Sequence, residues 1–245
     1  MQSVLYVDSR LRAGGSEGDF TIELRETMQL QDHGVRVDKL RVTNSFLTTD
    51  LGRHIYYKDG VGIQSFSIPE KAYTGTTLAA ALQAATGRST SYAADTNAIT
   101  QTITTGQEWL SDAQLKAYST GFPAGASPEA PRSLNQILGQ NSSVTGNLVW
   151  SFVSMAPYDY LFLRSRRLTV ENAEDLTGRH DVIAMLPLNK GIGAVEESST
   201  ADGIYMKMAS MSLRSIDFEL TDYKGAAVNM RGRPISFELC FDRIY

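Results

Sequence analysis

Two alternating runs lie near the carboxyl end of the chain, Leu213-Arg-Ser-Ile-Asp-Phe-Glu-Leu220 and Ile235-Ser-Phe-Glu-Leu-Cys-Phe241. Successive side chains of an extended strand point to opposite sides, so Ile216, Phe218 and Leu220 share one face of the first run. The segment between the runs includes Asp222-Tyr-Lys-Gly225, which has the composition of a turn. These features predict two half-buried antiparallel strands.

The same alternation occurs toward the amino end. Asp19-Phe-Thr-Ile-Glu-Leu24 alternates regularly, and Val35 to Val42 alternates with a slip near Lys39 that predicts a β-bulge. Further short runs between turn residues are 55–57, 63–68, 92–94, 98–103, 148–153, 158–164, 182–186 and 204–208. About eight to ten strands without βα alternation predict an antiparallel sandwich.

The predicted fold class is all-β: a single antiparallel jelly roll of two packed four-stranded sheets, an arrangement that leaves few exposed sheet edges. One short helix is expected around Leu78 to Ala85, which is rich in strong helix formers. Thr74 or Thr76 would cap its start, and Gly87 would end it. A further helical turn is predicted at Leu134 to Leu138.

We expect one domain over residues 1–245 with two elaborations. A loop insertion at about 106–132 combines a helical turn with several glycines and prolines. A Gly- and Ser-rich segment at about 189–202 predicts a mobile loop. Loops of this length inside a domain often carry function.

Composition excludes several functional classes. The formal net charge is −4 and the pI is about 5.4, so direct binding of nucleic acid is not expected. Cys240 is the single cysteine and cannot form an intramolecular disulfide. We find no secretory signal and no apolar run of the ~20 residues that span a bilayer. The protein is therefore expected to be made inside a cell, without secretion or a membrane span.

Motifs of enzymes are not evident. His33, His54 and His180 form neither a His-x-His pair nor a His-Glu-x-x-His motif, and Gly-x-Ser-x-Gly does not occur. We predict no catalytic residue, no metal site and no cofactor. A hydrolase that uses two carboxylates across a cleft is the least favoured alternative.

Two groups of residues are candidates for contacts with other molecules. Arg164, Arg166 and Arg167 form a basic cluster that fits either a solvated strand end or a subunit interface, since arginine binds carboxylates in a bidentate manner. Tyr158 belongs to the same candidate interface. Trp109 and Phe122 lie in the 106–132 insertion, where they would either pin the loop or form an exposed contact.

Several segments occur in a characteristic order along the chain: Tyr6-Val-Asp-Ser-Arg10, Gly15-Ser-Glu-Gly-Asp-Phe-Thr-Ile-Glu-Leu24, Phe66 to Tyr73 followed by Leu78 and Leu82, Leu134 to Gly139, Tyr160-Leu-Phe-Leu163, and Ile216 to Gly232 leading to Ser236-Phe-Glu-Leu239. In this order the chain resembles the penton (minor capsid) proteins of Polinton-like viruses and virophages. The resemblance covers nearly the whole chain, whereas each motif by itself is unspecific.

The resemblance implies a structural protein of a virion. A wedge-shaped jelly roll would form a homopentamer at each five-fold vertex, among major capsid proteins of the double-jelly-roll type. The alternative is a spike or lectin-like attachment module on the same sandwich. It would bind a receptor or glycan through the 106–132 and 189–202 loops.

Overall fold

Most of the predicted strands form in the computed structural model, which describes residues 3–117, 133–139, 141–144, 146–168, 180–199, 205–208 and 211–244. Within these residues the strands are β1 (Ser3–Asp8), β2 (Gly14–Gly15), β3 (Asp19–Leu30), β4 (His33–Thr43), β5 (His54–Lys58), β6 (Ile63–Ser67), β7 (Thr90–Ala93), β8 (Ala98–Thr102), β9 (Glu108–Trp109), β10 (Asn141–Val144), β11 (Asn147–Trp150), β12 (Tyr160–Arg164), β13 (Val182–Pro187), β14 (Val195–Ser198), β15 (Met206–Lys207), β16 (Met211–Thr221) and β17 (Ile235–Arg243). The helices are α1 (Gly75–Thr86), α2 (Asp112–Ala117) and α3 (Asn135–Leu138).

The contacts divide the chain into two compact units. The first unit comprises Met1–Ser45 with Tyr158–Tyr245, and the second comprises Phe46–Pro157. The second unit thus interrupts the first in sequence, between β4 and β12. The expectation of a single domain over residues 1–245 stays a prediction.

The described residues of the first unit form two sheets whose strand pairs are nested along the chain. The sheet orders are β1-β17-β4-β14, with β15 also paired to β4, and β13-β12-β16-β3-β2. The outermost pair is β1 with β17, then come β3 with β16 and β4 with β14, and the innermost pair is β12 with β13, all antiparallel. Nested pairs of this kind define a jelly roll. The predicted fold class is confirmed, and each four-stranded sheet carries one further short strand.

Aromatic rings join the two sheets of the first unit. Phe218 of β16 is fully buried, as the alternation predicts. Its ring centroid lies 5.4 Å from that of Phe20 in the same sheet and 4.9 Å from that of Phe237 in the other sheet. Tilted and edge-to-face pairs at these distances add to the stabilisation from burial. The alternating faces recognised in the sequence are therefore the ones that pack together.

The predicted slip near Lys39 is a β-bulge. The register of β17 on β4 shifts between Ser236 and Glu238, and Lys39 adopts a positive φ of 48°. Val37 is buried before the bulge, and Leu40 is buried after it. The extra residue therefore shifts the alternation by one position, so that Leu40 and not Lys39 points inward. The Asp38 carboxylate accepts the Lys39 N–H at 2.8 Å and so supports this turn of the backbone.

The loop prediction for 189–202 is wrong at Val195–Ser198, which forms β14 and pairs with β4. Within this strand the Glu196 side chain is buried, and its carboxylate accepts the Lys190 N–H at 2.5 Å. Gly- and Ser-rich composition reflects only the local conformational preference of a segment. Strand β14 depends instead on its pairing with β4, about 150 residues earlier in the chain. Residues 200–202 lie outside the described residues.

The second unit consists of two small sheets and three short helices among its described residues. The sheet orders are β10-β11-β8-β7 and β6-β5-β9. The predicted insertion at about 106–132 begins with β9 and α2, which belong to this unit, and 118–132 lie outside the described residues. The chain segment that separates β4 from β12 is therefore much longer than the predicted insertion.

Helix α1 has the predicted ends. Thr74 is the N-cap, where its hydroxyl accepts the Thr77 N–H and the Thr77 hydroxyl accepts the Thr74 N–H, which makes a capping box. Gly87 ends the helix in the left-handed conformation, at φ 67°. Leu78 and Leu82 are fully buried on one side of the helix. The predicted turn at Leu134 to Leu138 forms α3.

Candidate functional site

Arg164 forms an ion pair inside the first unit. Its Nη1 lies 2.6 Å from Asp181 Oδ1, and its Nε donates to Thr221 Oγ1 at 2.9 Å. The side chain is 2% exposed. A guanidinium enclosed in this way has no surface left for a neighbouring subunit, so the predicted interface role does not hold for this residue. The sequence shows the charge but not its burial.

Arg166 and Arg167 follow the buried arginine and are both exposed. Their backbone N–H groups donate to the two oxygens of the Asp217 carboxylate, each at 3.1 Å. Arg166 Nη2 also lies 3.4 Å from Glu219 Oε2. The acidic side chains of β16 therefore fix the backbone beyond β12 and leave both guanidinium groups at the surface. Their assignment to an interface stays a prediction.

The outer side of β12 and β13 is apolar. Tyr160 pairs with Pro187 and Phe162 pairs with Met185, and these four side chains lie opposite to the buried Leu161 and Leu186. Tyr160 is 39% exposed and Met185 is 51% exposed. The rings of Tyr160 and Phe162 contact each other, with centroids 5.4 Å apart. We call this surface, made of Tyr160, Phe162, Met185 and Pro187, the β12 face. The half-buried Tyr158 lies just before it in the chain.

The outer side of the other sheet carries a groove of about 540 Å³. Tyr6, which is 75% exposed, and Leu11 line it together with Lys39, Arg41 and Glu238. We call this surface, made of these five residues, the β1 face. The two sheets pack against each other through Phe218 and Phe237, so the β1 face and the β12 face lie on opposite sides of the sandwich.

In the ion pairs of the β1 face and of its border, the cation is more exposed than the carboxylate. Lys39 Nζ lies 2.7 Å from Glu238 Oε1, and the side chains are 55% and 16% exposed. The hydrogen bond to Glu238 raises the pKa of Lys39. At the border, the hydrogen bond from Arg10 is the main cause that lowers the pKa of Asp8. Both pairs therefore present their positive ends toward solvent.

Trp109 is part of the core of the second unit, so its prediction as an exposed loop contact is wrong. It is 3% exposed, and its indole Nε1 donates to Asn135 Oδ1 at 2.6 Å. Its ring lies 4.6 Å from Trp150 and 5.1 Å from Tyr57, in edge-to-face geometry. The alternative given from the sequence, that Trp109 pins its own segment, agrees with this buried position. Phe122 lies outside the described residues.

The described residues contain no group of three or more His, Cys, Asp and Glu that would hold a metal ion. His33 Nδ1 is hydrogen-bonded to the Gln31 carbonyl oxygen at 2.6 Å, and His54 and His180 belong to other parts of the chain. Burial raises the pKa of Tyr57, whose hydroxyl donates to Gln101 in the core of the second unit. These contacts belong to the packing of the chain.

Among the parts of the chain that the structure describes, no helix has the length and apolar character needed to cross a membrane.

Comparison with solved structures finds the same fold in a viral protein. The mavirus penton protein, from a crystal structure of selenomethionine-labelled protein, matches over 100% of both chains with a TM-score of 0.53 and 10% identity. A chain of the Sputnik virophage, from its 3.5 Å cryo-EM structure, matches over 98% of both chains with a TM-score of 0.46 and 12% identity. The chain matches no protein-family model and no curated protein sequence. The resemblance stated from the sequence is confirmed at the level of the fold.

The candidate residues predicted from the sequence include none from the β1 face or the β12 face. The β1 face is missed because Tyr6 lies in a short apolar run, Ser3 to Val7, which is typical of an ordinary strand. The β12 face has a signal in the sequence, because Tyr160-Leu-Phe-Leu163 is apolar at every position instead of alternating. A strand of that composition is typical of burial on both sides.

Proposed function

We propose that this protein is a structural subunit of a viral capsid and forms the pentameric vertices of an icosahedral virion. The observation that carries the proposal is the fold, which matches that of the mavirus penton protein over 100% of both chains with a TM-score of 0.53. The proposed role is geometric and requires no catalytic residue.

The two outer faces of the first unit support this role. A contact between unlike surfaces of identical chains is heterologous, and it generates a closed ring when the rotation between copies closes. The β1 face and the β12 face are unlike, and they lie on opposite sides of one sandwich. In the proposed ring, the β12 face of one copy packs on the β1 face of the next copy.

The chemistry of the two faces is complementary. The β12 face presents the rings of Tyr160 and Phe162, and the β1 face presents the exposed cations Lys39 and Arg41 beside Tyr6. Cations are attracted to the faces of aromatic rings. Tyr158, Arg166 and Arg167 border the apolar centre and would form the polar rim that protein interfaces usually have.

The further partners follow from the same proposal. The pentamer would be surrounded in the virion by major capsid proteins of the double-jelly-roll type. The net charge of −4 gives no electrostatic reason for direct contact with the genome. Synthesis inside the host cell without secretion is part of the proposal.

The experiment is to purify the full chain, measure its mass by light scattering and image it by electron microscopy. We expect rings of five copies of the 26.9 kDa chain, formed alone or together with a double-jelly-roll major capsid protein. A monodisperse dimer that forms no five-fold ring under either condition would contradict the proposal.

Substitutions test the two faces. Tyr6→Asp and Met185→Asp each place a charge in the proposed contact, and each is expected to abolish the rings while the circular dichroism spectrum is retained. Tyr223→Asp is the matched control, since Tyr223 is 54% exposed in the turn after β16 and belongs to neither face. Rings that persist in both face variants would place the contact elsewhere on the chain.

A further inference from the structure

The second unit contains an open cavity of about 560 Å³. Its buried wall is formed by Trp109 and Leu148, and Ile103 adds a half-buried apolar side chain. Gln107, Glu108 and Asn141 line it nearer the solvent. The volume falls within the range of about 300–1,000 Å³ that is usual for small-molecule sites.

Polar groups of this lining keep unused hydrogen-bonding capacity. Gln107 Oε1 accepts from Arg88 Nε at 3.2 Å and Nη2 at 2.8 Å, and among the described residues its amide nitrogen has no partner. Glu108 Oε1 accepts from Gln114 Nε2 at 2.5 Å, which leaves Oε2 available. The side-chain amide of Asn141 makes no hydrogen bond within the described residues.

The lining is also held in place before any ligand arrives. Asn135 accepts the Trp109 indole N–H, and its amide donates to the Leu110 carbonyl oxygen at 2.9 Å and to Asp112 Oδ1 at 2.8 Å. The Gln114 amide oxygen accepts the Ser111 N–H at 2.8 Å. A site whose side chains are fixed in advance loses little entropy on binding.

The charge of the lining selects the class of ligand. No lysine or arginine lines the cavity in the described part of the chain, and Glu108 adds a negative charge. Phosphates, sulfates and carboxylates are recognised through cations, which the described lining does not present. A ligand with both hydroxyl groups and apolar C–H faces matches the amides, the carboxylate and the apolar wall together.

We infer that this cavity binds a neutral oligosaccharide. Hydroxyl groups of the sugar donate to Glu108 Oε2 and accept from the Gln107 and Asn141 amides, which carry donors and acceptors suited to them. The C–H faces of the sugar pack on the half-buried Ile103, above the buried Leu148 and Trp109. The inference does not depend on five-fold assembly, because every residue of the site belongs to the second unit.

The test begins with the full-length chain on a printed array of neutral, sialylated and sulfated oligosaccharides. Lactose, maltotriose and chitotriose serve as soluble probes in calorimetric titrations. We expect binding to neutral glycans and a change in fluorescence, since both tryptophans of the chain lie at or beside the cavity. Absence of binding across the array, or binding restricted to sialylated or sulfated glycans, would overturn the inference.

Paired variants locate the site. Asn141→Ala is expected to weaken binding about fivefold to tenfold, the value of one hydrogen bond, and Asn141→Trp is expected to block the cavity. Gln136→Ala and Gln136→Trp are the matched controls, since Gln136 is an exposed amide of α3 outside the lining and should leave affinity unchanged. Equal affinity of the wild-type chain and both Asn141 variants would overturn the assignment of the cavity. Imaging for five-fold rings by electron microscopy tests the proposed capsid role separately.

Discussion

The two units place their aromatic side chains differently. In the first unit, Phe218 is buried between the sheets, whereas Tyr6 and Tyr160 lie on opposite outer sides of the same sandwich. In the second unit, Trp109 and Trp150 contact each other inside the core, and amide side chains line its cavity. The first unit therefore leaves these two tyrosines exposed on its outer sides, while the second buries its two indoles in its own core. The following experiments test this contrast.

The largest effect is expected where the first unit buries a charge. Arg164→Met removes the guanidinium that lies 2.6 Å from the Asp181 carboxylate, which is only 12% exposed, and should lower the free energy of unfolding by about 3–5 kcal/mol. Urea unfolding followed by circular dichroism measures it. The double variant Arg164→Met with Asp181→Leu should recover most of the loss, because an apolar pair replaces the buried charges. Arg166→Met, at an exposed pair, should cost at most about 1 kcal/mol.

A similar loss is expected when the aromatic core of the second unit is opened. Trp109→Ala removes a buried indole and its hydrogen bond to Asn135, and should cost about 3–5 kcal/mol. The fluorescence of Trp150 reports the unfolding of this unit. Phe152→Ala, in the same unit at a side chain that is 67% exposed, should stay within about 0.5 kcal/mol of the wild type. Equal losses for the two variants would contradict the inward role of the tryptophans.

A smaller effect is expected at the start of α1, the clearest local element of the second unit. Thr74→Ala removes the hydroxyl that accepts the Thr77 N–H, and should cost about 1 kcal/mol. Thr76→Ala lies one residue inside the helix and should be neutral or slightly stabilising, since alanine favours helices. Urea midpoints followed by tryptophan fluorescence compare the two. The reverse ranking would place the cap at Thr76.

The smallest effect concerns the border of the β1 face. The hydrogen bond from Arg10 lowers the pKa of Asp8 below its unfolded value of about 3.9. The pair therefore stabilises the fold above that pH, and this contribution is lost as the pH falls through the lowered pKa. Arg10→Ala should raise the pKa of Asp8, as an NMR titration of its carboxyl carbon would show. Arg12→Ala, whose cation pairs with Glu17 instead, should leave the pKa unchanged.

Much of the local structure could be predicted from sequence. The alternation around Phe218 and Phe237 identifies β16 and β17, the slip at Lys39 identifies the bulge, and Gly87 marks the end of α1. These features depend on side-chain periodicity and on backbone preferences within a few residues. The contact sites were predicted less well, because Arg164 and Trp109 look like surface residues until their buried partners are known.

By itself, the sequence determined the all-β class, the positions of most strands and the absence of the enzyme motifs sought, because periodicity and composition are local properties. Only the tertiary structure decided that the strand pairs are nested, that Phe46–Pro157 forms a unit with its own core, and that β14 exists in a Gly- and Ser-rich segment. The tertiary structure also decided which apolar side chains, such as those of Tyr6 and Met185, remain exposed to solvent. The physical reason is that strand pairing and burial depend on partners far away in the chain, which local preference does not specify.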